Sequence, residues 1–287
     1  MIREEKTGML YLCATPIGNL EDVTLRVLRI LKEADVVAAE DTRQSIKLLN
    51  HYEIKTPLVS YHEHNKYEKT PVLVQRMLKG ETIALVTDAG TPAISDPGED
   101  LVRACYEAVI PFTSLPGPAA VITALTLSGM PARRFTFEGF LPVDKKERKE
   151  VLDRLAQTTC TTIFYEAPHR LKKTLALFCE LLGENNRIAI CKELTKKHET
   201  ALHFTLGEAV AYYEANEPKG EFVLVVEGKN AEDMNRAKQE KWQEMPLSKH
   251  MKIYEDKGLS RKEAMKAVAK DRGVSKREIY AKLLEDE

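Results

Sequence analysis

Four turn-rich segments each follow a short apolar run: "TPIGN" (Thr15–Asn19), "EDT" (Glu40–Thr42), "TDAGTP" (Thr87–Pro92) and "PGPAA" (Pro116–Ala120). Proline fixes φ and glycine lets backbone approach a ligand, so such loops offer N–H and C=O groups in set directions. The longest stretch is "LVTDAGTPAISDPG" (Leu85–Gly98). A strand-like run stops at Asp88, and two glycines and two prolines pass before a helical pattern resumes. In open α/β sheets, ligands sit at the carboxyl ends of strands. Four loops of this kind at corresponding strand ends suit a polar small molecule with an adenine and an amino-acid end.

Two further segments carry titratable groups. "FYEAPHR" (Phe164–Arg170) places Glu166, His169 and Arg170 after a strand and at a helix start, with Pro168 suited to the first helical position. Glu166 there is also explained as a complement to the helix N-terminus. "CKELTKKHET" (Cys191–Thr200) crowds Lys192, Glu193, Lys196, Lys197, His198 and Glu199, and a solvated loop accounts for it equally well. "HEHN" (His62–Asn65) offers two imidazoles but no third ligand at metal spacing, so no metal site is expected. The phosphate-binding G-x-x-x-x-G-K-[ST] and the dinucleotide G-x-G-x-x-G are both missing, so a nucleotide derivative would be held in another way.

The elements that must position these residues alternate. Strands are expected at 9–14, 36–39, 58–61, 82–87 and 112–115. Helices are expected at 23–34 (capped by Asp22), 42–51, 71–79 (closed by Gly80) and 99–108. Such apolar strands between helices imply a mainly parallel sheet covered on both faces. The prolines of "LPGPAA" mark a boundary. Beyond it, strands at 135–138, 161–165, 187–192 and 222–226 alternate with helices at 145–156, 168–182 and 206–215, with a more antiparallel flavour. The domains expected are 1–116, 117–229, a charged linker over 230–246, and a helical, helix-turn-helix-like unit over 247–287 that would either meet RNA or simply pack on the dimer. In that last unit, Gly258 and Gly273 split three helices, and Ser260/Glu263 and Ser275/Glu278 have the capping-box spacing.

At 287 residues with 43% hydrophobic and 30% charged content, the chain has the profile of a globular protein. Its five cysteines are scattered, which suits a reducing compartment. The start is charged and no apolar run approaches the ~18 residues of a spanning helix, so a cytoplasmic protein with no membrane partner is expected. The net charge of -1 conceals local excess. Six basic residues stand against three acidic ones from Arg133 to Lys149, and eleven against five from Ser248 to Lys282. Basic patches on a neutral chain are the local form of a polyanion footprint.

The blocks "ATPIGNLEDVTLR", "AAEDTR", "LVTDAGTPAISDPG", "SLPGPAA", "EGFLP", "FYEAPHR", "KELTKKHET" and "GEFVLVVEG" occur in order from about Leu10 to Gly228. Together they resemble the ribosomal RNA small subunit methyltransferase I family of the tetrapyrrole methylase superfamily. Ser114 departs from the proline common at its position, while Pro116-Gly117-Pro118 is intact. The resemblance implies a two-domain α/β fold of class III methyltransferases, with S-adenosyl-L-methionine (SAM) in the interdomain cleft, and a homodimer. It implies 2′-O-methylation of a cytidine ribose (cytidine-1402) in 16S rRNA of the 30S subunit. It points to Pro16, Gly18, Asp88, Gly90, Thr91, Pro92, Ile94, Asp96, Pro116, Gly117, Ala119, Ala120 and Tyr165 for the cofactor. Glu166, His169, Lys192 and Glu193 become candidate general bases. Arg133, Arg134, Lys145, Lys146, Arg148, Arg170, Lys196 and Lys197 become candidate RNA contacts. A tetrapyrrole C-methyltransferase, or a non-catalytic RNA-binding assembly factor, would use the same fold.

Overall fold

Val36–Ala39 and Ile83–Val86 are buried at every position, which is the signature of strands covered on both faces. In the computed structural model, which describes residues 7–285, both lie inside a five-stranded parallel sheet. The strands are β1 (Leu10–Cys13), β2 (Val36–Ala39), β3 (Leu58–Ser60), β4 (Ile83–Val86) and β5 (Phe112–Leu115), in the order β3-β2-β4-β1-β5. Helices α1 (Leu25–Glu33), α2 (Thr42–His51), α3 (Lys66–Leu78) and α4 (Gly98–Glu107) make the crossovers. Successive residues of a strand serve opposite faces. Val36 and Ala38 join Leu10, Leu73, Met77 and Leu101 in one core, while Val37 and Ala39 join Val27, Leu31 and Leu49 in the other.

Two expectations shift here. Thr24, not Asp22, caps α1, its hydroxyl accepting from Val27 N–H at 3.2 Å, because Leu20–Asp22 are drawn into a short 3-10 turn. Helix α3 starts five residues before Pro71, which sits inside it and removes one intrahelical donor.

The second sheet has the order β6-β7-β10-β8-β9. Its strands are β6 (Phe135–Phe140), β7 (Thr161–Glu166), β8 (Arg187–Lys192), β9 (Thr200–Thr205) and β10 (Phe222–Val226). Only the β6–β7 pair is parallel. Helices α5 (Ala120–Leu127), α6 (Lys145–Leu155), α7 (Pro168–Leu182) and α8 (Leu206–Ala215) accompany it. Ala124 and Leu125 of α5 pack with Ile163, Ala189, Cys191 and Val225, so the chain passes from the first sheet to the second at Pro116–Ala119. Helix α5 and strand β9 have no counterpart among the expected elements.

Gly228 onward forms, with Asp153–Cys160, a second compact unit. The expected linker over 230–246 contains a helix, α9 (Ala231–Gln243), whose start is capped by Asn230 accepting from Glu232 N–H at 2.8 Å. Helices α10 (Leu247–Glu255), α11 (Arg261–Arg272) and α12 (Lys276–Glu285) follow. The Ser260/Glu263 capping box forms, and Gly273 turns the chain at φ +65°. Leu247, Met251, Ala264, Val268 and Ile279 make this unit's own core. Among the described residues, no helix is long and apolar enough to cross a membrane.

Candidate functional site

The turn chemistry after β4 ties three loops together. Thr15 and Gly90 exchange backbone hydrogen bonds, Thr15 N–H to Gly90 C=O at 2.9 Å and the reverse at 3.0 Å. Thr15 Oγ1 donates to the Thr87 carbonyl at 3.1 Å, and Thr91 Oγ1 donates to the Pro118 carbonyl at 3.0 Å. Gly90 sits at φ +86°, where a side chain is strained, and a Cβ there would lie 3.3 Å from Ile17 Cγ2. Asp96 braces the loop from within. Its two carboxylate oxygens accept from Ala93 N–H at 2.8 Å and Gly98 N–H at 2.9 Å, which holds Ala93 at φ +66° and opens α4. The loop after β2 joins the same assembly: Thr87 Oγ1 donates to Glu40 Oε2 at 2.7 Å, and Asp41 N–H donates to Asp88 Oδ1 at 3.0 Å.

The second sheet supplies the facing wall. Glu166, 2% exposed, accepts from Thr174 Oγ1 at 2.6 Å and Ala167 N–H at 2.9 Å, and Arg170 Nε stands 3.6 Å away. Arg170 also donates to the Leu141 carbonyl, so its guanidinium joins the start of α7 to the loop after β6. Tyr165, whose hydroxyl pKa is raised by burial, meets Phe137 and Phe140 edge-on at ring separations of 4.9 and 5.7 Å. After β8, Glu193 (φ +52°) lies over Gly220, where any Cβ would come within 2.5 Å of its carboxylate. Glu193 Oε1 accepts from Glu221 N–H at 2.9 Å and Lys196 Nζ at 3.1 Å, and these bonds hold its pKa below the ordinary carboxylate range.

Between these walls lies a cavity of about 560 Å³, within the range of small-molecule sites. Of the residues assigned to the cofactor, Asp88, Gly90, Thr91, Ile94, Asp96, Ala119, Ala120 and Tyr165 line it. Pro16, Gly18, Pro92, Pro116 and Gly117 are not among its lining residues. Gly18 and Gly117 have another use. A Cβ on Gly18 would meet Lys196 and Thr195, and one on Gly117 would lie 2.6 Å from Ala14 Cβ, so both permit close packing. Glu166 lines the cavity, whereas His169, Lys192 and Glu193 are not among the lining residues, and His169 is exposed.

Ile17 and Glu40, in the flagged loops "TPIGN" and "EDT" but given no individual role, also line the cavity, as do Val121, Phe140, Leu194, Glu221 and Val223, which the sequence did not single out. For Glu40 a signal existed, since "EDT" follows β2 as the other loops follow β1 and β4. Glu40 and Asp88 make the first-sheet side of the cavity acidic, while Ala119, Ala120, Val121, Leu194 and Val223 make an apolar wall. That donor set fits SAM, whose charged, hydroxyl-bearing and aromatic parts call for both kinds of surface.

The candidate RNA contacts divide. Arg133, Arg134, Lys145, Lys146 and Lys197 are exposed. Arg170 is tied to Leu141 and Glu166, Lys196 bridges Glu193 and Glu221, and Arg148 Nη1 donates to the Val143 carbonyl at 3.0 Å. Those three support the protein's own backbone and carboxylates.

A parallel sheet followed by a mixed one, with a cavity lined by loops at their strand ends, defines a two-lobed methyltransferase class. The uroporphyrin-III C-methyltransferase of Thermus thermophilus, complexed with S-adenyl homocysteine, has this fold. Its TM-score is 0.54 at 19% identity, over 76% of this chain and 97% of that one. Residues 9–210 match the family of tetrapyrrole (corrin/porphyrin) methylases. Ribosomal RNA small subunit methyltransferase I of Halalkalibacterium halodurans is 51% identical over 97% of this chain and 95% of its own length. That of Bacillus subtilis is 47% identical over 95% of this chain and 93% of its own. The chain belongs to the tetrapyrrole methylases and, within them, to the ribosomal RNA small subunit methyltransferase I family.

Proposed function

We propose that this protein transfers the methyl group of SAM to the 2′-oxygen of a cytidine ribose in 16S rRNA, the position numbered 1402 in the family's designation, with the 30S subunit as substrate. It is a SAM-dependent rRNA methyltransferase. It works as a homodimer in the cytoplasm. Residues 1–116 and 117–229 are read as its two catalytic domains and 247–287 as an accessory helical unit. The observation that carries this reading is the convergence of the family's loop blocks on one cavity with an acidic and an apolar side.

SAM supplies an electrophilic methyl group on a sulfonium. The protein's part is to hold the 2′-oxygen in line with it, since positioning of this kind is worth ~7–11 kcal/mol, and to take the hydroxyl proton, worth roughly 10²–10⁴-fold. Backbone of the Thr87–Asp96 loop, fixed by Asp96 and by the Thr15–Gly90 pairing, holds the cofactor. Glu166 keeps the start of α7 in place at the cavity wall. Among the described residues only Oε2 of Glu40 is engaged, which leaves its other oxygen for a substrate hydroxyl. Glu40 therefore joins Glu166, His169, Lys192 and Glu193 as the candidate base, and ahead of them.

Two measurements test this. Counting methyl groups transferred from labelled SAM should show transfer to unmethylated 30S subunits and none to a porphyrinoid, with free 16S rRNA as the third arm. Transfer to the porphyrinoid, or to nothing, overturns the reading. In single turnover, Glu40→Gln should bind SAM normally and lose at least 10²-fold in rate. A wild-type rate in that variant, with a loss in one of the other four, moves the base there.

A further inference from the structure

Phe140 is 53% exposed at the wall of the cavity, on the last residue of β6. A phenyl ring left in water is a cost, and nothing in the loop's construction looks loose. Leu141, the next residue, is 1% exposed, and its carbonyl is held by Arg170. Arg148 Nη1 donates to the carbonyls of Val143 and Pro142, at 3.0 and 3.4 Å. Asp144 closes the loop by accepting from Lys146 N–H at 2.8 Å and Glu147 N–H at 3.0 Å, at the start of α6. Two arginines and a cap thus fix a loop that turns an aromatic ring outward.

The ring's own contacts fit the same purpose. Tyr165 meets it at an interplanar angle of 63°, an edge contact that orients the ring without covering it by stacking. Ile94, on the first-sheet side of the same cavity, is 56% exposed. Lys145 and Lys146, exposed and five and six residues along the chain from Phe140, add positive charge. An oriented aromatic with exposed cations a few residues along the chain is the chemistry that binds unpaired nucleotides: bases stack on the ring while phosphates meet the lysines. A ribose that enters a cavity is presented by an unpaired nucleotide, and a base that gives up its stacked neighbours in doing so gains from a surface that replaces them.

We propose that Phe140 is the platform on which an unpaired rRNA base stacks as the target ribose enters the cavity. This rests on the rRNA reading above. The test compares Phe140→Ala, Phe140→Leu and Phe140→Trp with wild type on unmethylated 30S subunits, with SAM affinity measured by calorimetry. The Ala and Leu variants should keep SAM affinity within twofold and lose about 5- to 150-fold in kcat/KM for 30S, the range of one stacked base. The Trp variant should recover most of it. Three results overturn the proposal: full activity in Phe140→Ala, full activity in Phe140→Leu (apolar contact without stacking suffices), or a tenfold loss of SAM affinity (Phe140 is then cofactor wall). If wild type itself leaves 30S unmethylated, the rRNA reading fails and takes this proposal with it.

Discussion

Gly90 shows how much of the site depends on backbone alone. Its φ of +86° and the 3.3 Å separation between a built Cβ and Ile17 leave no comfortable side chain. Gly90→Val should keep the fold, read by circular dichroism, and weaken SAM binding at least tenfold, read by calorimetry. Unchanged affinity in the folded variant would detach this loop from the cofactor. The sequence made such turns legible because glycine and proline announce special backbone. It did not reveal which way each side chain faces. Asp96 has the composition of a ligand contact, yet both its oxygens are taken by the loop's own amides. Arg170 and Lys196 have the composition of phosphate contacts, yet they bind a carbonyl and carboxylates within the protein. Partners distant in sequence, Leu141 for Arg170 and Glu221 for Lys196, helped decide two of these cases, whereas Asp96 is taken by its near neighbours Ala93 and Gly98 through the path of the loop's own backbone.

Among the elements, the helices with clear caps and apolar periodicity were the legible ones. Helix α5 was hidden by its Val, Ile and Thr content, which weakens helix propensity and is overridden by packing on the second sheet. Strand β9 lies at the sheet edge, where one flank needs no apolar partner, and its charged approach reads as loop. Helix α9 has little apolar surface, and part of what holds it is specific. The Trp242 ring stacks on His250 at 4.2 Å and 8°, and Gln243 Nε2 donates to the Arg272 carbonyl at 3.0 Å. His250 is fully buried. Arg272 Nε donates to its Nδ1 at 3.2 Å, Asp271 faces its Nε2 at 3.3 Å, and Tyr254 donates to the same carboxylate. Burial lowers the pKa of His250 from its ordinary 6.5; Arg272 adds to this and Asp271 opposes it. A base whose folded pKa is depressed contributes full stability above its unfolded pKa and loses it as pH falls toward the folded value. The helical unit should therefore melt at progressively lower temperature as pH drops below about 6.5, followed by the fluorescence of Trp242, the sole tryptophan. His250→Gln should flatten that dependence. A pH-independent transition in the wild type would show that His250 does not couple to unfolding.

At the scale of the molecule, alternation and loop blocks made both sheets and their cavity foreseeable, while the walls of the cavity required the fold. The charge distribution belongs to this scale too. Lys262, Lys266, Lys270, Lys276, Arg277 and Lys282 are all exposed on α11 and α12. If the unit meets rRNA, Lys276→Ala with Arg277→Ala should flatten the slope of log affinity for 30S against log salt by ~1.4–1.8, or ~0.7–0.9 per phosphate contact, with SAM affinity unchanged. An unchanged slope would take Lys276 and Arg277 off the rRNA surface. One detail of β6 matters between molecules rather than within one. It is an edge strand carrying partly exposed Phe135 and Phe140, the kind of margin on which a second chain can extend a sheet. Its register against β7 breaks between Phe137 and Gly139, and Gly139 sits at φ +66°. That bulge denies an incoming strand a continuous ladder, so the aromatic edge stays open to a planar base while being a poor template for aggregation.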